Sequence, residues 1–253
     1  MPALASMLVG AGVHVLVAQT QAAAQAAQKA TSKIPIVFVG VRDPVAAGLV
    51  KSMGRPQTNL TGVTLSADWA LAAKPIEILS DLDQDIRRVG IIFNPAVAVQ
   101  STAIQAIKNA LTVRKIEVEP FGVRTVEDIE SAIAKMKESN IRALMVLVES
   151  FTLGHRVLLA RRASENEILT AFEVRDYVDA GGLLSYGLSY TDHYAQGAKY
   201  VSRIAAGENP SDIPVEQPSR FEFVLNLDAA RSLRLQVPPT LLTLTTDTIG
   251  SLQ

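Results

Sequence analysis

Short apolar runs rich in Val and Ile recur along the chain, separated by longer stretches whose apolar positions follow a helical spacing. The runs at 13–17, 34–39, 62–65, 89–93, 116–120, 143–148, 168–172, 182–186 and 220–225 read as strands. The stretches at 67–82, 99–111, 126–139, 153–166 and 191–206 read as amphipathic helices, and the Ala/Gln-rich segment 21–30 as one more. Strands this apolar are buried on both faces, and strands alternating with helices build parallel sheets. The pattern predicts a doubly wound α/β protein.

Element boundaries carry their own chemistry. Thr125, followed by Glu127 and Asp128, predicts an N-cap with acids at the positive end of a helix. Thr191-Asp192 predicts the opening of the helix over 194–206, and Gly207 its end. Arg42-Asp43-Pro44 predicts a turn after the second strand, with Pro44 as the first residue of a short helix. Pro210, Pro214 and Pro218 predict an extended connector. The strand set splits near 66–68 and again near 180–182, where Gly181-Gly182 lets the backbone bend between two lobes.

Composition narrows the function. Of 253 residues 48% are hydrophobic, ample for a sizeable core, and the net charge of −1 argues against a basic nucleic-acid face. No apolar run is long enough to span a membrane. The chain has no cysteine, which excludes disulfides, thiolate metal sites and cysteine nucleophiles. Residues 1–18 are apolar but lack a preceding Lys or Arg, so no signal peptide is recognisable and the segment reads as folded structure.

Catalytic and cofactor motifs do not fit. Gly10-Ala11-Gly12 precedes its strand instead of following it, and P-loop and nucleophile-elbow patterns do not occur. His14, His155 and His193 are scattered, so no metal site is expected, and His14 reads as a core histidine. Asn59-Leu60-Thr61 matches a glycosylation sequon but reads as a turn. Neither a cofactor nor an enzymatic activity is expected.

In an open α/β sheet, ligands bind beyond the carboxyl ends of strands. The candidates there are Gln19 and Thr20, Asp43, Asn94 with Ser101 in the following helix, Glu149, Glu173 and the aromatic Tyr186. Gln19-Thr20 opens a helix, whose free N–H groups suit a carboxylate, or else Thr20 is an ordinary N-cap. Asp43 suits an ammonium group or caps the next segment, and a catalytic role for it lacks an evident partner base. Tyr186 stacks on a ligand or packs in the core.

The segments IPIVFVGVRDPVAAGLV, TNLTGV, AGGLLSYG, AAGENPSDIPVEQPSRFEFVLNLDAARSL and VPPTLL, spread over nearly the whole chain, resemble the ABC-transporter substrate-binding proteins of the aromatic-amino-acid (tryptophan/tyrosine-type) family. The resemblance implies a type I periplasmic-binding-protein fold: two doubly wound parallel-sheet lobes with a hinge and an interlobe cleft. Its crossovers map near Ser66, Gly181 and Pro210, giving lobe I as 1–65 and 181–209 and lobe II as 66–180 and 210–253. It implies capture of a small metabolite, an amino acid or related carboxylate, in the periplasm and delivery to a membrane permease. The family's signal segment and opening strand–helix–strand have no counterpart here, which implies an incomplete lobe I with an open strand edge. Gln57 stands where the family has glycine in its turn. A truncated, weakly binding paralogue, a small-molecule sensor domain and a small-molecule enzyme are the alternative readings.

Overall fold

In a computed structural model, residues 1–65, 69–218 and 220–251 are described. The chain forms two compact units, Met1–Ala67 with Ser189–Arg220 (unit 1) and Asp68–Leu188 with Phe221–Gln253 (unit 2). In chain order the elements are α1 (Pro2–Gly10), β1 (Leu16–Ala18), α2 (Gln21–Ala30), β2 (Ile36–Val41), β3 (Leu60–Thr64), α3 (Lys74–Leu82), β4 (Arg88–Phe93), α4 (Ala98–Leu111), β5 (Glu117–Gly122) and α5 (Val126–Glu138). Then come β6 (Ala143–Val146), α6 (Ser150–Gly154), α7 (Arg156–Glu165), β7 (Leu169–Phe172), α8 (Asp176–Asp179), β8 (Leu184–Leu188), α9 (Tyr190–Ala205), β9 (Phe221–Asn226), α10 (Leu227–Ser232), α11 (Pro239–Leu242) and β10 (Asp247–Ile249).

Unit 1 is built on a three-stranded sheet in the order β1-β2-β3, all parallel. Alternation along the strands divides its core into two layers. Leu16, Ala18, Ile36, Phe38 and Leu60 pack with Ala24 and Ala27 of α2, whereas Val37, Val39 and Val63 pack with Tyr200, Val201 and Ile204 of α9. Among the described residues β1 pairs with β2 alone, so its other edge is open, and Val17 is 58% exposed. Helix α1 is not legible in the sequence, because PALASMLVG has no polar face to set a period. The expected strand 13–17 is a correction: Gly12 at φ +72° holds the chain in a turn, β1 begins only at Leu16, and His14 is exposed outside it.

Unit 2 is built on a seven-stranded sheet in the order β10-β9-β8-β7-β6-β4-β5. Helices α3 and α4 pack on one face with Val89, Ile91, Ala143 and Met145. On the other face Met136 of α5 lies against Gly90, where an added Cβ would come within 2.7 Å of its Cε. Thr125 caps α5 as expected: its side chain accepts from the Asp128 N–H, and Asp128 reaches back to the Thr125 N–H.

Two expectations need correction. The pattern predicts parallel strands throughout, yet β9 runs antiparallel to β8, with Leu188 opposite Phe221. The chain leaves unit 2 at Leu188 and re-enters at Phe221, on the same edge of the sheet, so the returning strand must reverse. The unit boundaries also move from 180/181 and 209/210 to 188/189 and 220/221. Residues 184–188 are β8, hydrogen-bonded between β7 and β9, and so belong to unit 2. Gly182 is no free joint, since a Cβ there would lie 2.3 Å from the Phe172 ring. Residues 210–218 stay with unit 1, where Val215 N–H donates to Met53 O (2.7 Å), Thr61 Oγ1 to Ile213 O (2.8 Å) and Tyr200 Oη to Pro214 O (2.7 Å). The first split, expected over 66–68, lies outside the described residues.

Candidate functional site

The carboxyl edge of the unit 2 sheet carries a continuous relay of polar bonds. Asn94, just past β4, donates its N–H to Gln100 Oε1 (2.7 Å). Gln100 Nε2 donates to Val148 O past β6 (3.4 Å), and the Val148 N–H donates to Glu173 Oε2 past β7 (3.4 Å). Three of the four candidates from strand ends in this unit, Asn94, Glu149 and Glu173, are thereby placed on one edge, with Glu149 next to Val148. Tyr186 is carried to the same edge by the pairing of Phe172 with Ser185. Its neighbour Gly187 is required there, because an added Cβ would come within 1.8 Å of Glu173 O.

The individual roles are partly structural. Glu149 is the N-cap of α6: its two carboxylate oxygens accept from Thr152 N–H (2.8 Å) and Phe151 N–H (3.0 Å). Asn94 Oδ1 accepts from Ala96 N–H (3.0 Å). Ser101 is exposed on α4, one residue past Gln100. Tyr186 stacks on Phe221, with centroids 5.7 Å apart and planes at 7°, and packs against the core of unit 2.

Gln100 escapes the strand-end reading because it lies on a helix. It is 4% exposed and belongs to the buried stripe 100, 103, 104, 107 and 111 of α4. A glutamine in line with an apolar stripe is the signal that identifies it, since such a side chain needs partners inside.

In unit 1 the edge is simpler. Thr20 is the N-cap of α2, its side chain accepting from Ala23 N–H (3.2 Å). Gln19 is exposed beside it, with its carbonyl 3.1 Å from where a Cβ on Gly40 would stand. Asp43 is exposed past β2, and its Oδ1 accepts from Ala46 N–H (2.9 Å). The short helix expected to start at Pro44 is a turn instead, closed by Leu49 N–H to Pro44 O (2.9 Å), because Gly48 at φ +70° leaves the helical region. Asn59 is also engaged as a turn residue, donating to Thr31 O and Ile34 O.

A small cavity of about 120 Å³ lies at the opposite edge of unit 2, among Asp83, Asp85, Arg87, Arg88 and Arg142. Its cations are already engaged: Arg88 with Glu119 (2.6 Å), Arg142 with Asp83 (3.7 Å) and Arg87 with Ile86 O (3.1 Å). It is a set of turn-stabilising pairs at the amino ends of the strands, away from the candidate residues. Among the described residues there is no group of three His, Cys, Asp or Glu placed to hold a metal ion, and no helix is long and apolar enough to cross a membrane.

Comparison with known proteins agrees with this architecture. A tyrosine-binding protein of Clostridioides difficile is 26% identical over 92% of this chain, which spans 66% of that protein's length. A conserved domain protein of Vibrio cholerae superposes with a TM-score of 0.86 at 26% identity, over 98% of this chain and 84% of the other. An ABC domain from Streptococcus pneumonia in complex with L-Trp superposes with a TM-score of 0.87 at 23% identity, over 98% and 83%. The fold is of the type I periplasmic-binding-protein kind. The model of the ABC transporter substrate binding protein family matches residues 2–249, and the chain belongs to that family.

Proposed function

We propose that this protein captures an aromatic amino acid outside the cytoplasm and hands it to the permease of an ABC importer without turning it over. The observation that carries the reading is the family match over residues 2–249, together with the tyrosine-binding relative. The site chemistry is in keeping with it. An amino acid presents a carboxylate, an ammonium group and a side chain. Free N–H groups at the start of α2, beside Gln19 and Thr20, suit the carboxylate. Asp43, Glu149 and Glu173 suit the ammonium, with Asn94, Ser101 and Tyr186 completing the polar strand ends. Of the three acids, Asp43 is the most available, because one oxygen holds a single turn N–H and the residue is exposed.

Calorimetric titration of the chain with L-tyrosine, L-tryptophan, L-leucine and glucose tests the reading. Saturable binding of the aromatic amino acids is expected, with no product formed on prolonged incubation. Asp43→Asn keeps an oxygen for the Ala46 N–H and removes the charge. A charge-assisted hydrogen bond contributes about 1.5–3 kcal/mol, so the variant should bind tenfold or more weakly. Binding of glucose alone, or conversion of an amino acid, would overturn the reading.

A further inference from the structure

The first turns of α9 hold a group that no strand-end argument finds. His193 is 3% exposed, and its Nε2 is buried with no hydrogen-bond partner among the described residues. Tyr190 and Tyr194, on either side of it, contact each other with ring centroids 6.4 Å apart at 59°. A buried polar atom without a partner is rare in folded proteins and asks for an explanation.

Where these residues lie follows from the packing of α9 on unit 1. Gly197 sits on Val39: a Cβ added there would come within 2.6 Å of Val39 Cγ2. Tyr200 reaches Pro214 O (2.7 Å), in the segment whose Ile213 O accepts from Thr61 Oγ1, and Thr61 is paired with Val37. Moving from 197 to 200 along α9 therefore moves back along β2, so helix and strand run in opposite directions. Four residues in the other direction are about 6 Å, or roughly two strand residues. That sets His193 level with Val41, the last residue of β2. Tyr190 lies another turn on, over the edge where the segments at Gln19 and Asp43 emerge. His193, Gly197 and Tyr200 are the buried positions of the helix that pack on the sheet, with Tyr190 half-buried one turn before His193 and Tyr194 exposed at the flank of that face.

We infer that Tyr190, His193 and Tyr194 form the subsite of unit 1 that recognises the planar side chain of the ligand. This rests on the reading of the protein as a binder of aromatic amino acids. The two rings offer edge-to-face contact to a third, the geometry aromatic groups prefer. The imidazole offers Nε2 to the polar tip of that side chain, a phenol hydroxyl or an indole N–H. Burial lowers the proton affinity of His193, which keeps the ring neutral and able to accept such a bond. Leucine has neither a ring nor a polar tip, so the subsite discriminates against it.

The test titrates the full chain and its variants with L-tyrosine, L-phenylalanine, L-tryptophan and L-leucine. Tyr190→Leu with Tyr194→Leu should weaken L-tyrosine and L-tryptophan about tenfold and leave L-leucine unchanged. His193→Leu should weaken L-tyrosine more than L-phenylalanine, because only the former loses a hydroxyl partner. Tyr194 is 41% exposed, so Tyr194→Leu alone preserves the fold and supplies a second variant, with a smaller loss in the same order. Unchanged affinities in these variants, or an equal loss for L-leucine and the aromatic ligands, would overturn the subsite while leaving the binding function standing. A wild-type chain that binds none of the amino acids would overturn both.

Discussion

The carboxyl edges of the two sheets are finished in different ways. In unit 2 the ends of β4, β6 and β7 are tied to one another through Gln100, Val148 and Glu173. In unit 1 the ends of β1 and β2 are held locally, by the Thr20 cap and the Asp43 turn, and the proposed subsite draws on the first turns of α9, where His193 Nε2 has no hydrogen-bond partner among the described residues. A bridged edge keeps its geometry as a unit, and removing its central residue disturbs several strands. An edge held by separate local bonds loses only one at a time. The larger sheet thus has its strand ends joined to one another, and the smaller one has them secured separately.

The backbone contacts set the upper limit on what either unit tolerates. A Cβ at Gly187 would meet Glu173 O at 1.8 Å, and one at Gly62 would meet Phe38 O at 2.0 Å. Both obstacles are main-chain atoms, one just past β7 and one within β2, which cannot rotate away. Gly187→Ala and Gly62→Ala should each destabilise the protein by about 3 kcal/mol, read as a drop in the urea midpoint. A tolerated alanine in one unit alone would show that its sheet is the softer of the two.

The difference between bridged and local edges comes next in size. Gln100→Ala leaves the Asn94 N–H and the Val148 carbonyl without their partner and should cost about 2 kcal/mol. Thr20→Ala removes one exposed cap from α2 and should cost about 1 kcal/mol. Equal losses in the two variants would break the contrast drawn between the units.

A smaller effect separates the units by pH. Burial depresses the proton affinity of His193, so the folded state takes up a proton less readily than the unfolded chain. The stability that follows is complete above the ordinary histidine range, near pH 6.5, and is lost as pH falls through the depressed folded value. The urea midpoint of the wild type should fall between pH 7 and pH 5 more steeply than that of His193→Leu. Parallel slopes would remove His193 from the acid response. The smallest change expected is a gain: Gln57 is held at φ +54°, and Gln57→Gly relieves that strain at some entropic cost, for a net of about 0.5 kcal/mol in thermal unfolding.

Much of this architecture is legible in the sequence because it depends on local period. The apolar runs near 89–93 and 168–172 coincide with β4 and β7 to within one residue, and Thr125 caps α5 where its acids say it should. The resemblance carried by segments such as IPIVFVGVRDPVAAGLV agrees with the family match. Short or one-sided elements carry little periodic signal. β10 has only three residues, and α1 lacks a polar face. Of the candidate residues, Asn94, Glu149, Glu173 and Tyr186 lie on one edge, as strand ends of a single sheet must. The strand-end rule passes over Gln100 and His193, which are buried on helix faces turned towards strands distant in sequence.

The sequence by itself determines where strands and helices alternate, which strands are buried on both faces, and which polar residues stand at their ends. These are consequences of side-chain period, backbone sterics and capping, all of which act within a few residues. Only the tertiary structure decides that β9 returns antiparallel beside β8, that 184–188 join the larger sheet and 210–218 the smaller unit, and that Gln100 finds its partners past β4 and β6. Each of those outcomes depends on which strand lies next to which, and such contacts form between segments far apart along the chain.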